Sequence, residues 1–213
     1  LLSNARRIAS VRHKRLAAVL GAKHSAGANT LILSQWLDGQ SIQDKIRDSG
    51  PLEENQAAAI LFQICSALAP LHKAGIPHGN LKPSNIFIPL DEQQELYVAL
   101  KDAVGNGVVG LQVDDEFVGS VKNFSPEQVQ GTEISLSTDY FSLGTIAYFL
   151  VTAQYPFAAP TPRHTGQRIT ALNYRSISAV KAHLSEAYRG FISSCLQLAP
   201  GDRYSSLREA AGV

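Results

Sequence analysis

Between His78 and Asp102 the chain gathers side chains able to do chemistry: an imidazole at His78, amides at Asn80 and Asn85, an ammonium at Lys82 and a carboxylate at Asp102. The run His78-Gly79-Asn80-Leu81-Lys82-Pro83-Ser84-Asn85 is followed by a short apolar run, Ile86-Phe87-Ile88. An amide is not a base, so neither Asn80 nor Asn85 can act as a proton acceptor. A second pattern, Gly105-Asn106-Gly107-Val108-Val109-Gly110, has the G-x-G-x-x-G spacing that cradles a pyrophosphate when it opens a helix. No helix signal follows, because Leu111 to Phe117 is irregular and acidic, so a dinucleotide site is rejected and a loop is expected. Cys65 and Cys195 lie far apart in helix-like apolar patterns, which predicts buried thiols in a reducing compartment.

The order of several further segments carries more information than any one of them. Lys101-Asp102-Ala103-Val104 follows the apolar run Leu96 to Leu100, and Ser125-Pro126-Glu127 stands twenty-five residues after Asp102, with Gly119-Ser120 between. Asp139-Tyr140-Phe141-Ser142-Leu143-Gly144, Tyr155-Pro156-Phe157 and the stretch Cys195 to Tyr204 come next, and Leu31 to Leu37 lies upstream. Together these segments resemble the protein-kinase family over nearly the whole chain, with the catalytic loop H-R-D-L-x-x-x-N at His78 to Asn85, D-F-G at Asp102-Ala103-Val104 and A-P-E at Ser125-Pro126-Glu127.

The resemblance implies roles. Asn80 stands where the family carries its catalytic aspartate, and Gly79 replaces the arginine that reads a phosphorylated loop. Asn85 and Asp102 occupy the metal-holding positions, and Lys82 that of the lysine that contacts the transferred phosphate in serine/threonine kinases. His78 and Asp139 are implied to be architectural, and Arg203 is implied to pair with Glu127 inside the core. Gln35 and Trp36 fall on the strand and hinge that hold adenine; Phe87 would form the pocket floor, stacking on a base or plugging the site, and plugging is the favoured reading. The Lys–Glu ion pair that fixes the phosphates has no acidic member, because residues 4 to 14, where the regulatory helix falls, contain no glutamate.

These departures lead to the expectation of a pseudokinase: not an enzyme, but a scaffold or regulator that binds another protein or another domain of its own polypeptide. The alternatives are a divergent Ser/Thr kinase of weak activity using Lys82, Asn85 and Asp102, or a nucleotide sensor without turnover. ATP and Mg²⁺ are not expected to be required, and no nucleic-acid partner is expected.

The elements that must position these residues read as an α+β layout: a protein-kinase-like fold with a mainly helical C-lobe from residue 36 to 213 and a truncated or minimal N-lobe from 1 to 35. A basic amphipathic helix running into a short strand is expected over 4 to 20, with Ile8, Val11, Leu16 and Val19 as its apolar positions, and a buried strand from Thr30 to Leu37. Ser41 reads as an N-cap with Asp44 at the capping-box position, and Pro51 to Ala74 as the clearest helix. The runs at Ile86 and Leu96 suggest a hairpin, Gly105 to Lys122 an irregular segment, and Thr138 to Val151, Ser185 to Leu196 and Ser205 to Ala211 helices.

Composition bounds the rest. With 213 residues and 45% hydrophobic content, the chain supports a packed domain. The net charge is +1, yet residues 1 to 37 hold six basic and no acidic residues, leaving thirteen basic against eighteen acidic on the remainder. That basic opening is the best candidate for a partner surface. The longest apolar stretch, Phe141 to Ala153, is too short to cross a bilayer and reads as a core helix, while the expected reducing compartment points to a cytoplasmic location. The absence of any Met reads as an excised piece of a longer protein.

Overall fold

In a computed structural model, the structure describes residues 2–24, 30–89, 99–100, 103, 112–113, 116–117 and 121–212. Helix α1 (Leu2–Ala9) leads to strands β1 (Val19–His24) and β2 (Thr30–Ser34), an antiparallel ribbon with Lys23 opposite Leu31 and Gly21 opposite Leu33. Then come β3 (Gly39–Ser41), α2 (Ile42–Ser49), α3 (Glu54–Lys73), β4 (Ile86–Pro89), β5 (Ala99–Leu100) and a small hairpin of β6 (Gln112–Val113) with β7 (Glu116–Phe117). Helices complete the described chain: α4 (Pro126–Gln130), α5 (Leu136–Thr152), α6 (Pro162–Thr170), α7 (Ile177–Val180), α8 (Glu186–Cys195) and α9 (Leu207–Ala211).

Of the helix and short strand expected over 4 to 20, the helix stops at Ala9 and strand β1 begins at Val19, while the run from Thr30 to Leu37, expected to be buried, exposes Leu31, Leu33 and Trp36. Beyond Ala9, tertiary pairing takes the backbone: Leu100 N donates to Arg15 O and Ala17 N to Leu100 O, both at 2.8 Å, so Leu16 forms a parallel bridge to β5 instead of a helical turn. Strand β4 sits at the centre of a three-stranded antiparallel sheet ordered β3-β4-β5, with Ile86 opposite Leu100 and Phe87 between Ser41 and Ala99. The expected hairpin is therefore present; residues 90 to 98, and with them Leu96, lie outside the described residues. So does the glycine pattern at 105 to 110. The segment expected to be irregular contains the β6–β7 hairpin and a 3-10 turn at Val121–Asn123.

Local chemistry starts the helices where the side chains can satisfy orphan N–H groups. Ser41 Oγ accepts from Asp44 N at 3.1 Å, but the Asp44 carboxylate takes the Ser41 hydroxyl at 2.6 Å and not the backbone N–H that completes a capping box. Ser125 and Gln128 do form a full box at the start of α4, as do Ser135 and Thr138 at α5. Helix α6, whose Thr161 cap and Pro162 at its first position are sequence signals, had not been expected.

Helix α5 is the axis of the core. Every residue from Thr138 to Val151 is buried, so it has no solvent face, and α3 and α8 pack on it. At Gly144 a Cβ would meet Cys195 Cβ at 2.6 Å and Leu196 Cδ2 at 2.9 Å, so glycine is what lets α8 approach. Phe141 stacks on Phe157 at 5.7 Å between centroids, and the Tyr188 hydroxyl donates to Ala147 O at 2.9 Å. Cys65 and Cys195 are buried free thiols; burial pushes the Cys65 thiol up to about 12.

Candidate active site

The segment His78 to Asn85 hangs on one carboxylate. Asp139, in the first turn of α5, is completely buried and accepts from His78 N at 2.7 Å (Oδ2) and from Gly79 N at 2.9 Å (Oδ1). His72, in the last turn of α3, brings Nε2 to Oδ2 at 2.8 Å. The buried carboxyl thus meets three partners, two of them N–H groups of the loop it positions. Gly79 adopts φ +73°, a left-handed conformation that favours glycine, and its carbonyl accepts from Gln128 Nε2 at 3.0 Å.

The loop is also tied to itself. Asn80 N donates to His78 Nδ1 at 3.3 Å, and Asn85 Nδ2 donates to Asn80 O at 2.9 Å from the end of a 3-10 turn at Pro83–Asn85. Asn80 is half-buried and lines a small pocket with Lys82, Phe124, Gln128 and Ser142. Asn85 uses its Nδ2 within the loop, so Oδ1 is the atom suited to a hard cation. Asp102, its expected companion, lies outside the described residues, whereas Ala103 beside it is buried. The Asn85 amide oxygen is of the hard type that Mg²⁺ takes.

Glu127 and Arg203 form a bidentate pair, Nη1 to Oε1 at 2.8 Å and Nη2 to Oε2 at 2.9 Å. All five guanidinium N–H groups have an acceptor, since Nε reaches Gln197 O, Nη1 also Ser137 O, and Nη2 also Leu198 O. The guanidinium lies 5.0 Å from the Phe141 ring centroid, and Thr138 Oγ1 donates to Glu127 Oε1 at 2.8 Å. Burial alone would raise the Glu127 carboxyl, but the hydrogen bonds and charge of Arg203 outweigh it and hold the group below its ordinary value.

The remaining candidates lie on the segment after β2 and on β4, which directly follows the loop. Gln35 is exposed and occupied with Ala18, accepting from Ala18 N at 3.2 Å through Oε1 and donating its own N–H to Ala18 O at 2.8 Å. Trp36 is 86% exposed, and Phe87 is half-buried on β4. The sequence reading brought together His78, Asn80, Lys82, Asn85 and Asp139, as the structure does, but it missed His72 and Gln128. Ser125-x-x-Gln128 was visible as a capping-box pattern; nothing about His72 distinguishes it from a solvated histidine near a helix end.

Residues 2–211 match the protein kinase domain. The chain belongs to the protein kinase family. It is 29% identical to the serine/threonine-protein kinase PknB of Mycobacterium leprae over 162 residues, which covers 74% of this chain and 26% of that protein. It is 25% identical to PknB of Mycobacterium tuberculosis over 209 residues, 96% of this chain and 33% of that protein. A probable serine/threonine-protein kinase of Clostridium perfringens is 26% identical over 208 residues, 96% of this chain and 30% of that protein. The chain thus spans about a quarter to a third of the length of these relatives. Its fold is the α+β protein-kinase fold with a minimal N-lobe.

These names correct one expectation. Asn80 led to the reading that the chain is not an enzyme, and its named relatives across most of its length are protein kinases. The physical error lay in weighting one side chain over the frame: the backbone of residue 80 is held by His78 and Asn85 through bonds that do not use its side chain. Among the described residues no helix is long and apolar enough to cross a membrane.

Proposed function

We propose that this domain is a divergent Ser/Thr protein kinase of weak activity, transferring a phosphoryl group from a nucleoside triphosphate to a protein hydroxyl. The observation that carries it is the hanging of the His78–Asn85 loop on Asp139, which sets Asn80, Lys82 and Asn85 on one rigid turn. Phosphoryl transfer asks little covalent chemistry of the protein and depends on positioning and charge neutralisation, so a frame that positions can work with a poor proton acceptor. Lys82 would meet the transferred phosphoryl oxygens; Asn85 Oδ1 and Asp102 would hold Mg²⁺, which supplies neutralisation of the phosphate charge when bound. The test is transfer of labelled γ-phosphate by the intact protein to a degenerate Ser/Thr peptide library. Slow transfer lost on Lys82→Met and on Asp102→Asn is expected, and label incorporation no greater than in the double variant sinks the reading.

A partner surface forms the second part of the reading. Leu20, Leu31 and Leu33 are each more than half exposed, and with Trp36 they surround the β1–β2 ribbon in the segment that carries six basic and no acidic residues. This supports docking of another protein or another domain of the same polypeptide at the residues we assign to the N-lobe, 1–35, against a C-lobe of 36–213. The buried free thiols support a reducing, cytoplasmic setting.

A further inference from the structure

Between Glu54 and Lys73, helix α3 carries no Asp, Glu, Lys or Arg. A helix so poor in charge is ordinarily buried all round. This one is not: α5, α9 and β5 pack on one side, while Ala58, Ala59, Phe62 and Ala69 are exposed on the other, Phe62 at 62%. Their helical spacing lines them up as one apolar stripe, the kind of surface that another chain covers. Independently of the kinase reading, we infer that the cover is a second copy of this chain, with the two α3 helices antiparallel about a two-fold axis.

Charge selects this occupant. The helix is charged only at its ends, and oppositely: Glu53 and Glu54 stand at its start, and Lys73 closes it, where Arg7 also arrives, its Nη2 donating to Ala74 O at 3.4 Å. Hydrogen bonds from the Ser185 hydroxyl and N–H hold the Glu54 carboxyl below its ordinary value, so that end is anionic at neutral pH. An antiparallel copy brings each acidic end against a basic end, twice by symmetry, and opposes the two helix dipoles. Shape agrees with charge. Beside Phe62 a groove of about 340 Å³ runs between α3, α8 and α9, lined by Ala58, Leu61, Cys65, Phe191 and Ala210, with Glu54 on its wall. A projecting ring next to an apolar hollow on the same face is self-complementary under a two-fold axis. Setting Glu54 against Lys73 also puts Phe62 of each copy level with Cys65 of the other, inside the groove, and Ala58 level with Ala69. The face is about 30 Å long, which places the pair among small, reversible interfaces.

The test is sedimentation equilibrium of the intact protein over a concentration series, with thiol cross-linking to report the register. A reversible dimer is expected. Phe62→Asp should weaken it at least about thirtyfold, the scale of a lost central anchor, with the melting temperature kept because the ring is exposed. Lys73→Glu should weaken it about fivefold, an effect that shrinks in high salt. A mixture of Ala58→Cys and Ala69→Cys proteins should be joined by a short bifunctional thiol reagent, and neither variant should join to itself. A monomer at every concentration overturns the inference and leaves the stripe to a different protein. A dimer of unchanged strength in Phe62→Asp overturns it as well, and so does cross-linking in which Ala58→Cys joins to itself as readily as to Ala69→Cys.

Discussion

Two parts of this molecule treat exposed and buried groups in opposite ways. Around Asp139 and the Glu127–Arg203 pair, carboxylates and a guanidinium lie inside the core with hydrogen-bond partners, whereas on the β1–β2 ribbon large apolar side chains lie outside it. Burying an ion pair is unfavourable unless geometry and extra hydrogen bonds compensate, and here three main-chain carbonyls complete the guanidinium shell. The ribbon has no such compensation, so its stability must come from what packs on it. One region is satisfied by its own side chains and carbonyls; the other leaves apolar surface exposed.

The sharpest way to break that contrast is to remove Arg203. Arg203→Ala leaves the Glu127 carboxylate buried and unpaired, and chemical denaturation should show a loss of about 3–5 kcal/mol. A loss below 1 kcal/mol would mean that the pair is no more than decorative. Next is Asp139→Leu, which deprives the buried N–H groups of His78 and Gly79 of their acceptor; a loss of about 2–3 kcal/mol is expected, with faster amide exchange confined to the 78–85 loop. Uniform exchange across the protein would contradict the assignment of Asp139 to that loop.

Acid should act through Glu127. Because its folded value is depressed, the stability it contributes is fully present above about pH 4.5, its ordinary value, and is lost as pH falls through the lower folded value. Glu127→Gln should flatten that acid limb in a melting-temperature series, and an unchanged limb would assign acid sensitivity to other carboxylates. The smallest effect is expected on the ribbon: Leu33→Ser should change stability by no more than about 0.5 kcal/mol while reducing the binding of a hydrophobic dye. A core-like loss at Leu33 would erase the difference between the two regions.

What could be read from sequence follows the same division. Helix α5 was legible because an apolar run broken only by small residues, with a polar start, admits little else, and the loop from His78 to Asn85 because its residue types keep a fixed order. The length of α1 was not, since Leu16 has helical spacing from Ile8 but pairs with Leu100, a partner some eighty residues away that no local window contains. His72 and Gln128 escaped for a related reason: each earns its place through a bond to a distant backbone or carboxylate. Asn80 was read correctly as an amide and wrongly as proof of inactivity, because side-chain chemistry at one position does not reveal how firmly its surroundings are built.

The tether on residue 80 has a consequence for descent. Its amide nitrogen and carbonyl are gripped by His78 and Asn85 whatever side chain it bears. Lineages can therefore exchange the group at this spot without refolding the turn, and Asn and Asp codons differ by a single nucleotide. An exchange between these two side chains is thus one mutational step that leaves the main-chain bonds of the turn in place.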